Sequence, residues 1–140
     1  MAESERRGQP AARHRRVRRQ HSDELAEDYV EAIDGLLEEG GSARVTDLQE
    51  IFGVSHVSVI RALKRFEERG LVERTAEDGL RLTGEGKAMA QKAAGRHVLV
   101  VKFLRALGVS ADQAEADAEG VEHHLSRESL AAMERFVAGK

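Results

Sequence analysis

Asp117-Ala118-Glu119-Gly120-Val121-Glu122-His123-His124 gathers three carboxylates and two imidazoles within eight residues. Far upstream, Asp28 and Glu31 stand three apart, which places both side chains on one face of a helix, and His97 lies between the two groups in the chain. Carboxylate oxygen and imidazole nitrogen are ligands for divalent cations. The chain has no cysteine, so a thiolate site and a disulfide framework are both excluded. A solvated acidic loop has the same composition, and the late segment by itself leaves both readings open.

Several elements must bring these residues together. Ser22 can cap a helix with an acidic first turn, and Leu25, Tyr29, Ile33, Leu36 and Leu37 recur at helical spacing up to Gly40 and Gly41. A second helix runs from Arg44 to Phe52, with Val45, Leu48 and Ile51 on one face. Gly53-Val54-Ser55 makes a tight turn into a third helix that reaches Glu68. Leu71 to Arg74 and Leu80 to Thr83 read as two short strands of a hairpin. Helix, helix-turn-helix and hairpin in this order spell a winged helix-turn-helix domain. A long helix from Thr83 or Gly84 to Leu107, a short acidic helix over Ala111 to Ala118, a turn at Gly120 and a last helix from Ser126 to Val137 complete a mainly α chain. The expected division is a basic arm over 1–21, a winged helix-turn-helix domain over 22–90 and a helical metal-binding and dimerisation domain over 91–140.

In a helix-turn-helix the second helix enters the major groove. Val59, Leu63 and Phe66 must pack inward, which turns Ser55, His56, Val57, Ser58, Ile60, Arg61, Lys64 and Arg65 outward. Three cations suit phosphate oxygens, the small polar groups suit base edges, and Val57 and Ile60 suit thymine methyls. Arg74 and Arg81 on the hairpin are further candidates for backbone phosphates.

Charge is distributed unevenly. The first 20 residues hold seven arginines against Glu3 and Glu5, so the net charge of −3 leaves an acidic body behind a basic arm. That arm contains the only proline, lacks hydrophobic periodicity and is expected to be disordered in isolation. The Arg-rich start has no apolar core behind it, and no stretch approaches the length of a membrane span. The expectation is a soluble, cytoplasmic protein that does not engage membranes.

The blocks AEDYVEAI, GSARVTDL, RLTGEGK, FLRALGVS and DAEGVEHHLS resemble the manganese transport regulators of the diphtheria toxin repressor superfamily, over roughly Ser22 to Val137. The resemblance implies a homodimeric regulator of two-fold symmetric operator DNA that represses manganese uptake genes. It also implies a paired-metal site, two manganese ions per subunit, formed by Asp28, Glu31, His97, Glu119, Glu122 and His123. Iron-sensing relatives place sulfur ligands where this chain has Asp28 and Glu119, and oxygen there suits a hard manganese ion better. An iron-responsive regulator of the same family is the alternative. His14, His21 and His124 are additional imidazoles with no place in the implied set.

Two readings from other classes are weaker. A di-metal carboxylate enzyme built on facing helices needs Glu-x-x-His elements, and no glutamate here has a histidine three positions on. A regulator of an organic effector needs a large apolar pocket, and four phenylalanines with one tyrosine and no tryptophan supply little of its lining.

Overall fold

The computed structural model describes residues 2–139, with the side chains of residues 1–11, 14 and 16–22 outside the description. Its elements are α1 (Ala2–Gly40), α2 (Val45–Phe52), α3 (His56–Glu68), β1 (Val72–Arg74), β2 (Leu80–Leu82), α4 (Gly84–Ala106), α5 (Ala111–Val121) and α6 (Arg127–Ala138), with one 3₁₀ turn in the hairpin and another over Glu122–His124.

The core of the first half is drawn from α1, α2, α3 and the hairpin. Tyr29, Val30, Ile33, Val45, Leu48, Val59, Leu63, Phe66, Leu71, Val72 and Leu80 are all buried in one cluster. Gly53 caps α2 at φ 63°, a left-handed conformation open to glycine at no steric cost. This lets α3 leave at the angle the motif needs. Ser55 caps α3, its Oγ accepting from Ser58 N at 3.2 Å. β1 and β2 pair antiparallel with Val72 opposite Leu82, Glu73 opposite Arg81 and Arg74 opposite Leu80.

The Thr-Gly-Glu-Gly segment joins the hairpin to the long helix. The Thr83 hydroxyl donates to Gly70 O at 2.6 Å and accepts from Gly86 N at 3.0 Å, so one side chain caps α4 and holds the base of the wing. At Gly86 a Cβ would lie 2.0 Å from Leu71 O. Only glycine lets α4 approach the backbone of Leu71, just before β1, so closely. Beyond the wing, α4 packs on α1 and carries α5 and α6 against it.

Two elements differ from expectation. Helix α1 begins at Ala2 and runs through the basic segment expected to be disordered, and Ser22 lies inside it. From Ala11 to Gln20 the segment is mostly alanine, arginine and glutamine, good helix formers, and extending an existing helix carries no nucleation cost; propensity does not explain the continuation through Pro10, a helix breaker. The side chains of His14, His21 and five of the seven arginines fall outside the description, whereas Arg13 and Arg15 are exposed. Gly120 does not end the acidic helix, since α5 continues through it to Val121 and tightens into the 3₁₀ turn at Glu122–His124. The continuous helical path keeps Glu119, Glu122 and His123, at spacings of three and four, on one face.

Candidate metal centre and nucleic-acid interface

Residues far apart in the chain converge where α1 crosses the end of α5. Asp28, Glu31, Glu119, Glu122 and His123 line one cavity of about 390 Å³, whose remaining wall is Ala32, Ile51 and Phe52. His97 is the one implied ligand not in that wall. It approaches from α4, its Nδ1 2.6 Å from Glu122 Oε2 and its Nε2 2.7 Å from Glu115 Oε2. Among the described residues, Glu122 is the one charged member of the buried set, at 3% exposure.

The electrostatics match a site short of positive charge. Burial raises the Glu31 pKa to about 7, with the Glu122 and Asp28 carboxylates adding to the shift and His123 opposing it. Asp28 is raised by burial, against His123 and with Glu24, Glu119 and Glu27. Glu122 is raised by burial, against its hydrogen bond and attraction to His97. Burial lowers His97, but its hydrogen bonds to Glu115 and Glu122 outweigh that and leave its pKa raised. Crowded carboxylates that each disfavour ionisation are stabilised by a cation.

Among the described residues, no three carboxylate or imidazole groups surround a common point as a preformed cage. The imidazoles instead take the carboxylates as partners. His123 Nε2 lies 3.4 Å from Asp28 Oδ1 and 3.7 Å from Glu122 Oε1, and His124 Nε2 lies 3.6 Å from Glu24 Oε2. The donor set of four carboxylates and two imidazoles fits hard or borderline divalent ions, and the cavity gives those donors room to turn inward.

Sequence reasoning missed three residues at the site. Glu27 accepts from His123 Nδ1 at 2.7 Å and pairs with Arg96 of α4, while Glu115 holds the outer nitrogen of His97. The i, i+4 relation of Glu27 to Glu31 was a weak hint. Nothing in the chain pointed to partners 69 or 96 positions away.

In the helix-turn-helix, α3 buries Val59, Ala62, Leu63 and Phe66. Ser55, His56, Val57, Ser58, Arg61, Lys64 and Arg65 are exposed, and Val57 shows 57% of its surface. Ile60 differs from expectation, since it is half-buried and packed against the core cluster. Ser58, Arg61, Lys64 and Arg65 flank a groove of about 520 Å³ closed by Leu25, Tyr29 and Val54. In the hairpin, Arg74 is engaged within the domain, paired with Asp78 at 3.2 Å and Glu67 at 3.9 Å, whereas Arg81 is exposed. Asp78 and Glu77 adopt φ of 57° and 62° at the hairpin tip.

Residues 83–139 match the family model described as "Iron dependent repressor, metal binding and dimerisation domain", and residues 31–80 match that of the MarR family. The transcriptional regulator MntR of Escherichia coli O157:H7 is 46% identical over 123 residues, covering 88% of this chain and 79% of its own. The HTH-type transcriptional regulator MntR of Bacillus subtilis (strain 168) is 38% identical over 104 residues, covering 74% and 73%. Among solved structures, a manganese-dependent transcriptional repressor in complex with manganese superposes with a TM-score of 0.71 at 27% identity, over 82% of this chain and 53% of that one. The manganese regulator SloR superposes with a TM-score of 0.70 at 27% identity, over 82% and 54%. This chain thus spans about half the length of those two solved proteins. With relatives this similar over most of its length, the chain belongs to the MntR branch of the diphtheria toxin repressor superfamily.

Proposed function

We propose that this protein is a manganese-activated transcriptional repressor acting as a homodimer on two-fold symmetric operator DNA in the cytoplasm, with two ions per subunit and genes of manganese uptake as its targets. The observation that carries this reading is the cavity between α1 and the end of α5, which collects five of the six implied ligands and reaches the sixth, His97, through Glu122. Four carboxylates there are formally balanced by two divalent cations. The winged helix-turn-helix is assigned to residues 22–90 and the dimerisation part to 91–140, where Val98, Leu107 and Val121 remain exposed and suit contact with a second copy.

Asp28 and Glu31 belong to α1, which contributes Tyr29, Val30 and Ile33 to the core of the DNA-binding half; Glu119, Glu122 and His123 belong to the helical half. Bound manganese supplies the positive charge that offsets these carboxylates. Drawing the two sets together ties α1 to α5 and favours one orientation of α3. A ligand biases the two arrangements only by its differential affinity, so the coupling is on the order of 1–3 kcal/mol. Relatives that are transcriptional regulators leave the enzyme reading without support.

Iron is the second reading, favoured by the iron-dependent family model that matches residues 83–139. Oxygen at Asp28 and Glu119 weighs toward manganese. Fluorescence anisotropy with operator DNA, in chelator and in manganese or ferrous iron, is the decisive experiment. Tight binding in manganese alone is the expected result, and equal affinity in chelator would refute metal control. Asp28→Met should broaden activation toward iron or cobalt, and an unchanged metal ranking would remove the argument from ligand type.

A further inference from the structure

One carboxylate outside the cavity wall joins three elements. Glu27 precedes Asp28 on α1 but lines a separate cavity of about 240 Å³ with Met89, Lys92 and Arg96 of α4. It pairs there with Arg96, and it also accepts from Nδ1 of His123, 2.7 Å away, on the 3₁₀ turn. All three side chains are largely buried, with Arg96 14%, Glu27 17% and His123 5% exposed.

We propose that Glu27 and Arg96 are positioning residues for His123, fixing which of its ring nitrogens is offered to the metal; this rests on His123 being a ligand. An ionised carboxylate can only accept, so the His123 nitrogen facing Glu27 carries a proton. In the neutral ring the lone pair then sits on Nε2. That atom faces the cavity carboxylates, 3.4 Å from Asp28 Oδ1 and 3.7 Å from Glu122 Oε1. The opposite tautomer would aim an N–H at the cation. Outer-shell carboxylates orient ligating histidines in this way, and Arg96 anchors Glu27 from the opposite helix. The arrangement is poorly explained as a source of stability. Buried ion pairs roughly break even against desolvation, and Arg96 Nε is buried without a hydrogen-bond partner among the described residues. What the pair supplies is direction.

The test uses the full-length protein. Manganese affinity is measured by calorimetry for wild type, E27Q, R96M and H123A, and the ¹⁵N shifts of His123 are recorded without metal. E27Q should lower affinity roughly 10–100-fold, with R96M moving the same way. The metal-free wild type should show protonated Nδ1, and E27Q should move that signal while circular dichroism stays native. If H123A loses affinity but E27Q and R96M remain within about twofold, the ligand reading stands and the positioning role is wrong. If H123A binds as wild type does, the ligand reading fails and takes the positioning role with it. An Nε2–H tautomer in the wild type overturns the proposal without reference to any variant.

Discussion

The ring of Tyr29, the residue after Asp28, packs on Phe66 of α3 with centroids 5.2 Å apart and planes at 59°. The same ring stacks on Phe52 at the end of α2, centroids 4.6 Å apart. Any displacement of α1 at Asp28 would therefore act, one residue later, on the packing of α1 against α2 and α3. Close-packed interiors transmit such displacements instead of absorbing them.

Phe66→Leu keeps an apolar residue in this place but removes an aromatic pairing worth about 0.5–1.5 kcal/mol. The expected outcome is a smaller gain in DNA affinity on adding manganese, while manganese affinity measured without DNA changes little. Anisotropy and calorimetry on the same preparation separate the two. Full metal enhancement in the variant would show that the coupling runs by another route.

Arg61 is exposed on α3, on the far side of the helix from Val59 and Leu63. Arg61→Ala should weaken operator binding by about 1–3 kcal/mol if the guanidinium reads a base edge. Manganese affinity should be untouched, because none of the cavity residues belongs to α3. Loss of metal binding in this variant would mean the face of α3 has been misassigned.

The pH dependence follows from Glu31. Its pKa is raised from 4.5 to about 7 in the fold by burial and by the Glu122 and Asp28 carboxylates, with His123 opposing. The native state holds this proton more tightly than the unfolded chain. The stability it contributes is therefore fully present below pH 4.5 and lost as pH rises through about 7. Thermal melts of metal-free protein should show a decline from this group across that window. Metal binding needs the deprotonated carboxylate, so manganese affinity should rise over the same range, with proton release on binding near pH ~6 detectable as a dependence of calorimetric heat on buffer. Glu31→Gln should flatten both profiles; unaltered profiles in the variant would assign them to another group.

Deleting residues 1–20 removes seven arginines. If they meet phosphates, affinity for specific and nonspecific DNA should fall together, since phosphates carry no sequence information. The slope of log K against log salt should flatten by roughly 0.9 for each phosphate that is no longer neutralised. Metal response should persist, as every implied ligand lies beyond the deletion. An unchanged salt slope would mark the segment as a bystander.

Local physics made much of the fold legible in the sequence. Helical periodicity announced α1 from Leu25 onward, α2, α3 and α4, because an amphipathic face repeats every three to four residues. Gly53 marked the turn, because few other residues accept its φ of 63°. The types and spacings of Asp28, Glu31, Glu119, Glu122 and His123 offered cation ligands without deciding between a site and a solvated acidic surface, since side-chain identity carries ligand chemistry but not convergence; the full set was implied only by the family resemblance. Other features were decided only when distant elements met. Glu27 and Arg96 are ordinary charges in sequence, and their pairing exists only because α1 packs against α4. Ile60 reads as outward-facing by period alone, yet the neighbouring core half-covers it. Gly120 looks like a helix stop, but its weak propensity costs only about 1 kcal/mol, which the surrounding helical packing overrides. Propensity and periodicity act within a few residues of the chain; burial and ion pairing depend on which elements lie against each other, and that was settled by the packing of the two halves across α1 and α4.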